Sequence, residues 1–136
     1  MKIGITCYPA YGGSGVVGAE LGVELAERGH EVHFITSALP FRAKGNQSLI
    51  HFHEVEMMSY PLFEHLPYAL ALSTKMAEVI QTYDLDVLHV HYAIPFAAAA
   101  ILAKQIAPEL NLKVVTTLHG TDITLVGSND SFHPVT

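Results

Sequence analysis

Two spacings of apolar residues take turns along this chain. Residues 2–8 (KIGITCY), 31–36 (EVHFIT), 49–57 (LIHFHEVEM), 86–91 (DVLHVH) and 113–118 (KVVTTL) are short, largely apolar runs of strand length. Between them lie stretches with apolar residues three and four apart, the spacing that gives a helix one dry face. The first, residues 15–28, aligns Val17, Leu21 and Leu25 on one stripe and leaves Glu20, Glu24, Glu27 and Arg28 off it. Gly18 and Gly22 lie inside this helix, where each costs about 1 kcal/mol against alanine. That cost is explained if the helix packs very close to a sheet. Gly29 then ends it. The second helix, residues 68–83, turns Leu72, Met76, Val79 and Ile80 inward. A third carries Pro95 in its first turn, where proline is tolerated, and runs to about Ile106. Residues 9–14 and 37–48 read as loops, the latter holding Pro40, Arg42, Lys44 and Gly45. The chain turns around Pro61 and Pro67, and residues 119–136 are polar without a clear period.

The resulting order is β-α-β-β-α-β-α-β. The first, fourth and fifth strands are nearly continuous apolar runs, as expected of parallel strands covered on both faces. The fold class is therefore α/β: an open, Rossmann-like parallel sheet with helices on both sides. A length of 136 residues suits one domain, residues 1–136. No repeat, linker or low-complexity tract interrupts it.

Composition narrows the partners. The formal charge is −6 and the seven basic residues are scattered. An acidic surface attracts neither nucleic acid nor an anionic membrane. The lone Cys7 suits a reducing compartment. The N-terminal apolar run is too short for an export signal. The longest apolar stretch, residues 93–102, is about half of what a membrane span needs. These features lead us to expect a soluble, cytoplasmic protein.

Gly13-Ser14-Gly15-Val16-Val17-Gly18 fits the letters of a dinucleotide fingerprint, G-x-G-x-x-G. Two features oppose that chemistry. The glycines come late, with residues 9–13 separating Tyr8 from Ser14. The second strand ends Phe34-Ile35-Thr36-Ser37, without the carboxylate that would hold the ribose hydroxyls; Glu31 is at its other end. A glycine loop opening a helix still presents backbone N–H groups to an anion. A carboxylate or phosphate fits it better than NAD or FAD.

Open α/β sheets bind ligands beyond the carboxyl ends of their strands. Tyr11 and Ser14 follow the first strand, and Tyr92 and Pro95 the fourth. Thr116, Thr117, His119, Thr121 and Asp122 end or follow the fifth. Three separate stretches thus converge on one edge. His119, in HGTD, is suited to general acid–base work or to donating a hydrogen bond to a hydroxylated substrate. Asp122 either caps the following segment or orients His119. Ser14 lacks the G-x-S-x-G elbow of a hydrolase nucleophile. Arg42 is a loop charge able to reach an acidic acceptor. The pairs His51/His53 and His89/His91 have zinc-ligand spacing, but no third ligand stands out, so no metal is expected.

KIGITCYPAYGGSGVVGAELG, HEVHFITSALPFR, DVLHVHYAIP and KVVTTLHGTDIT together resemble the N-terminal domain of retaining glycosyltransferases of family 4, which have the GT-B fold of two Rossmann-like domains. The resemblance runs from residue 2 to about residue 130. It implies a hexosyltransferase that moves N-acetylglucosamine from UDP-GlcNAc to the hydroxyl of L-malate with retention, the first step of bacillithiol biosynthesis. It implies neither metal nor cofactor. Carried over by position, Gly13 and Gly15 would face the donor diphosphate. Ser14, Tyr92 and Thr117 would hydrogen-bond malate. His119 would be the catalytic-site histidine beside the transferred sugar, positioning the donor rather than acting as base. Thr116, Asp122 and Arg42 are further candidates. Members of the family are well over twice this length. The expectation is therefore a truncated, acceptor-side portion, inactive alone, with apolar sheet edges open to homo-oligomerisation. Two other readings remain: a nicotinamide-dinucleotide oxidoreductase or epimerase module, and a non-catalytic binding domain.

Overall fold

In the computed structural model, residues 1–9, 12–40, 42–43, 48–62, 64–65, 67–108 and 111–135 are described. Five strands, β1 (Lys2–Thr6), β2 (Glu31–Thr36), β3 (Ile50–Glu54), β4 (Val87–His91) and β5 (Lys113–Thr117), form one parallel sheet in the order β3-β2-β1-β4-β5. Three regular helices, α1 (Gly13–Glu27), α2 (Tyr68–Tyr83) and α3 (Ala98–Ile106), accompany them. The period-two alternation of the strands divides the core between two faces. Ile3, Ile5, Val32 and Phe34 cluster with Ala26 of α1 on one side. Ile35, Leu88 and Val90 join Leu72, Met76, Val79 and Ile80 of α2, and the alanines of α3, on the other. This is the expected Rossmann-like arrangement.

Burial follows the strand order rather than the apolar runs alone. β1 and β4 are central and well buried, as expected. β5 is not: it forms an edge, and Val115 is 46% exposed. β2 takes its place among the covered strands because it lies between β1 and β3, and every residue after Glu31 is buried.

The inward face of α1 also differs from the expected stripe. Its buried residues are Gly15, Gly18, Ala19, Gly22 and Ala26, whereas Val17 is exposed and Leu21 and Leu25 flank the contact. The cause is close approach. A Cβ on Gly18 would lie 2.8 Å from Cys7 Cβ, and one on Gly22 would run into the Phe34 ring. The glycines that weaken this helix in isolation let it settle on the sheet. Gly29, at φ +86°, ends it in the left-handed conformation.

Smaller differences are local. The expected helix at Pro95 becomes regular only at Ala98. Before it, Ile94 is extended (φ −117°, ψ 125°), as the residue preceding a proline tends to be. β1 stops at Thr6 and β3 at Glu54, short of the ends of their apolar runs. The aperiodic tail contains two short helical turns, Asp122–Val126 and His133–Val135. Among the described residues no helix is long and apolar enough to cross a membrane.

Candidate functional site

The path from β1 runs outward to β2 and β3, whereas β4 and β5 build the other half of the sheet. The chain exits of β1 and β4 therefore diverge and leave a crevice at this switch point. A cleft of about 450 Å³ occupies it, lined by Tyr8, Gly12, Gly13, Ser14, Tyr92, His119 and Thr121.

The glycine loop contributes backbone donors. The Gly12 carbonyl accepts the N–H groups of Gly15 (3.0 Å) and Val16 (3.3 Å), so the N–H groups of Gly13 and Ser14 precede the helical ladder. Among the described residues no side chain caps this terminus, and the first turn holds no acidic residue. Its partial positive charge is thus left for an anion in the cleft. Gly15 has another position: it is buried, its N–H is used within the turn, and its carbonyl lies 4.0 Å from Cys7 Sγ. Burial pushes the Cys7 thiol up to about 12, so it is a packing group and not a nucleophile.

Tyr92 forms the opposite wall. Its φ of +93° is unusual for a bulky side chain and carries backbone strain. The conformation is fixed from two sides. The Tyr92 N–H donates to the Thr117 carbonyl at 2.9 Å, and its phenol lies 2.8 Å from the Thr121 hydroxyl. The Tyr8 ring meets the Tyr92 ring edge-on at 5.5 Å.

Behind the cleft, His89 and His91 stack on the α1 face of β4 with centroids 4.6 Å apart. His89 Nε2 meets Thr117 Oγ1 at 2.7 Å, and His91 Nδ1 meets His119 Nε2 at 3.2 Å. Burial lowers the pKa of His89, and it lowers that of His91 to about 4 with His89 and His119 adding like-charge repulsion. His91 is therefore neutral at pH 7 and carries a single N–H. Its Nε2 is buried and has no hydrogen-bond partner among the described residues. An orphaned donor costs more than an orphaned lone pair, which assigns the proton to Nδ1. His91 then donates to His119 Nε2, leaving the His119 proton on Nδ1.

Asp122 resolves the choice between capping and orienting. Its carboxylate is fully buried and accepts the backbone N–H of His119 (3.0 and 3.2 Å) and of Ala93 (3.2 Å). It holds the exits of β4 and β5 together by their backbones and does not touch the His119 ring in this arrangement.

Of the expected site residues, Gly13, Ser14, Tyr92 and His119 line one cleft. Thr117 sits just behind the lining, on His89. Thr116 is exposed on the sheet's other face. Arg42 forms an exposed ion pair with Glu20 at 2.7 Å and is not among the lining residues. Tyr11 and Lys44 lie outside the described residues. Tyr8 and Gly12 were missed as lining, although a position just beyond β1 is a signal for both. Among the described residues, metal-compatible grouping occurs elsewhere, at Glu31, His33 and His51. The two members that spacing along β3 could not supply, Glu31 and His33, come from β2, its neighbour in the sheet.

The sequence profile of Glycosyltransferase Family 4 matches residues 11–134. The chain is 62% identical over 133 residues to N-acetyl-alpha-D-glucosaminyl L-malate synthase of Bacillus anthracis, covering 98% of this chain and 35% of that protein. It superposes on a crystal structure of a glycosyltransferase from Rickettsia africae ESF-5 with a TM-score of 0.63 and 23% identity, over 98% of this chain and 32% of that one. That similarity supports the fold. The chain thus spans about a third of the length of these proteins. With the profile match extending from the glycine loop to the last helical turn, the chain belongs to Glycosyltransferase Family 4.

Proposed function

We propose that this chain is the acceptor-side portion of a retaining transferase that moves N-acetylglucosamine from UDP-GlcNAc to L-malate, the first step of bacillithiol biosynthesis. The observation that carries the reading is the uncapped start of α1 facing Tyr92 and His119 across a single cleft at the switch point. The name of the Bacillus anthracis relative supports the choice of substrates.

In this proposal the N–H groups of Gly13 and Ser14 bind a malate carboxylate and, on departure, the donor diphosphate. The Ser14 hydroxyl and the Tyr92 phenol hydrogen-bond malate. Thr117 acts through His89, and Gly15 lets the loop pack down on Cys7. His119 positions the donor sugar. The bond from the anomeric carbon to the phosphate oxygen breaks, the malate oxygen takes its place on the same face, and the phosphate oxygen receives the malate proton. Asp122 holds the exits of the strands, while Thr116 and Arg42 have no part. The cytoplasm, where a nucleotide sugar and malate are both at hand, is the proposed location. The exposed apolar residues Val115 and Leu118 at the β5 edge would support self-association.

The test is calorimetric titration of the purified chain with L-malate, which reads the acceptor site without requiring the donor side. Saturable binding that Ser14→Ala weakens is expected. Tight NADH binding with no response to malate would overturn the reading and favour a dinucleotide module. Transfer itself is tested by following GlcNAc-malate formation from UDP-GlcNAc and L-malate.

A further inference from the structure

The strongest grouping of ligand-bearing side chains outside the cleft lies where β2 pairs with β3. Glu31 and His33 are two residues apart on β2, so they share a face. The parallel register sets His51 beside His33, and His53 beside Ile35. The four polar side chains meet on the face that carries α2. His33 stacks between His51 (centroids 4.7 Å) and His53 (5.2 Å), and Tyr83 at the end of α2 covers it at 4.5 Å.

Three ligand atoms converge. Glu31 Oε1 lies 3.1 Å from His33 Nε2 and 3.5 Å from His51 Nε2, and the donor atoms of all three lie within 4.8 Å of one another. Ligands placed about 2.0–2.1 Å from a tetrahedral zinc ion are roughly 3.3–3.4 Å apart. The two shorter separations bracket that figure. We propose that Glu31, His33 and His51 form a binding site for a divalent ion of the zinc class, with water completing the coordination.

The donor set selects the ion. Two imidazoles and one carboxylate suit zinc, cobalt or nickel, whereas magnesium and calcium require oxygen donors and copper(I) prefers sulfur. Access is open on one side, since His51 and Glu31 side chains are 39% and 31% exposed while His33 is fully buried. The outer contacts are also in order. His33 Nδ1 lies 2.9 Å from His53 Nε2. With an ion on Nε2, His33 carries its proton on Nδ1 and donates it to His53, the second contact that typically fixes the tautomer of a metal-bound histidine. Around the group stand the Glu31 carboxylate, which offsets the ion's charge, and, from α2, Lys75 and Glu78, which pair with each other at 2.7 Å.

The site lies near the amino ends of β2 and β3, whereas the cleft lies beyond the carboxyl ends of β1, β4 and β5. Its role is therefore structural or regulatory: the ion ties the edge strand β3 to β2. It stands independently of the proposed transfer reaction.

The test uses untagged protein stripped with a chelator, loaded with zinc and passed through a desalting column. About one zinc per chain is expected to remain, together with a shift to higher urea in unfolding. Cobalt is expected to give the strong visible absorption of a four-coordinate site. His51→Ala, at an accessible position, and Glu31→Gln, which leaves the shape intact, are each expected to weaken zinc binding at least tenfold, since loss even of an outer-shell partner costs about 10–100-fold. His133→Ala serves as a surface-histidine control and should bind as the parent does. Retention of well under one zinc by the parent protein, or undiminished affinity in both His51→Ala and Glu31→Gln, would overturn the proposal.

Discussion

His91 Nδ1 stands 3.2 Å from His119 Nε2, and through this contact a buried residue of β4 sets the ring of a cleft residue beyond β5. The burial of His91 serves that contact at the expense of an unpartnered Nε2. Position and stability can therefore be separated by substitution. His91→Leu removes both the useful donor and the orphaned atom, and is expected to be as stable as the parent or more so. Malate affinity should nonetheless fall about 2–10-fold, the equivalent of one lost hydrogen bond of about 0.5–1.5 kcal/mol. His91→Asn keeps a donor near the Nδ1 position and should recover part of the affinity. Equal malate binding by parent and His91→Leu in calorimetry would remove His91 from any positioning role.

The same residue gives the fold a dependence on pH. Burial, with His89 and His119 nearby, lowers the folded pKa of His91 to about 4 from an ordinary 6.5. Between those values the unfolded chain binds the proton and the folded chain does not, so stability rises with pH through this window and is fully present above about 6.5. On lowering the pH to 5, His91 should remove on the order of 2 kcal/mol. Urea midpoints measured from pH 7.5 to 5 should fall, and the slope should be shallower in His91→Leu. Parallel profiles for the two proteins would sink the assignment.

Glycines on α1 divide by what lies beneath them. Gly18→Ala and Gly22→Ala drive a methyl into Cys7 and Phe34, so each should lose about 1–3 kcal/mol despite the better helix propensity of alanine. Among the described residues nothing lies within 4 Å of where a Cβ on Gly13 would be. Gly13→Ala should therefore fold with nearly unchanged stability, while its methyl, at a position that lines the cleft, weakens malate binding. Urea unfolding and malate titration on the three variants check the division. Parental stability in Gly22→Ala would mean that α1 does not rest on Phe34 as described.

These cases indicate what the sequence could and could not reveal. The alternation of strands and helices was legible because each apolar run is long enough to carry its own period. The bounds of α2 were read to the residue for that reason. The inward face of α1 was not, because hydrophobic spacing counts side chains and this contact is made where side chains are missing. The cleft was foreseeable in outline, since strand ends converge in any such sheet. Linear spacing does not tell which of Thr116 and Thr117 reaches His89 behind the cleft: they differ by one position, and only the pleat and the pairing of β5 with β4 send them to opposite faces. The grouping of Glu31, His33 and His51 depends on the register between β2 and β3, which linear spacing does not contain.

Asp122 joins two chain exits whose separation defines the cleft, and that makes it the most consequential polar residue outside the lining. It accepts from the His119 and Ala93 amides with no exposure to solvent. Asp122→Ala strands both N–H groups, each worth about 1–3 kcal/mol when left unsatisfied, so roughly 2–4 kcal/mol of stability should be lost after partial rehydration. Asp122→Asn keeps one acceptor oxygen and replaces the other with a donor that faces an N–H, so an intermediate loss is expected. A purely local effect would end there. Because His119 and Tyr92 ride on the two exits, both variants should also weaken malate binding, Ala more than Asn, even under conditions where each is fully folded. Amide exchange gives an independent reading: the His119 N–H should exchange slowly in the parent and faster in both variants. Unchanged urea midpoints together with an equally protected His119 amide in Asp122→Ala would show that the carboxylate does not hold these exits.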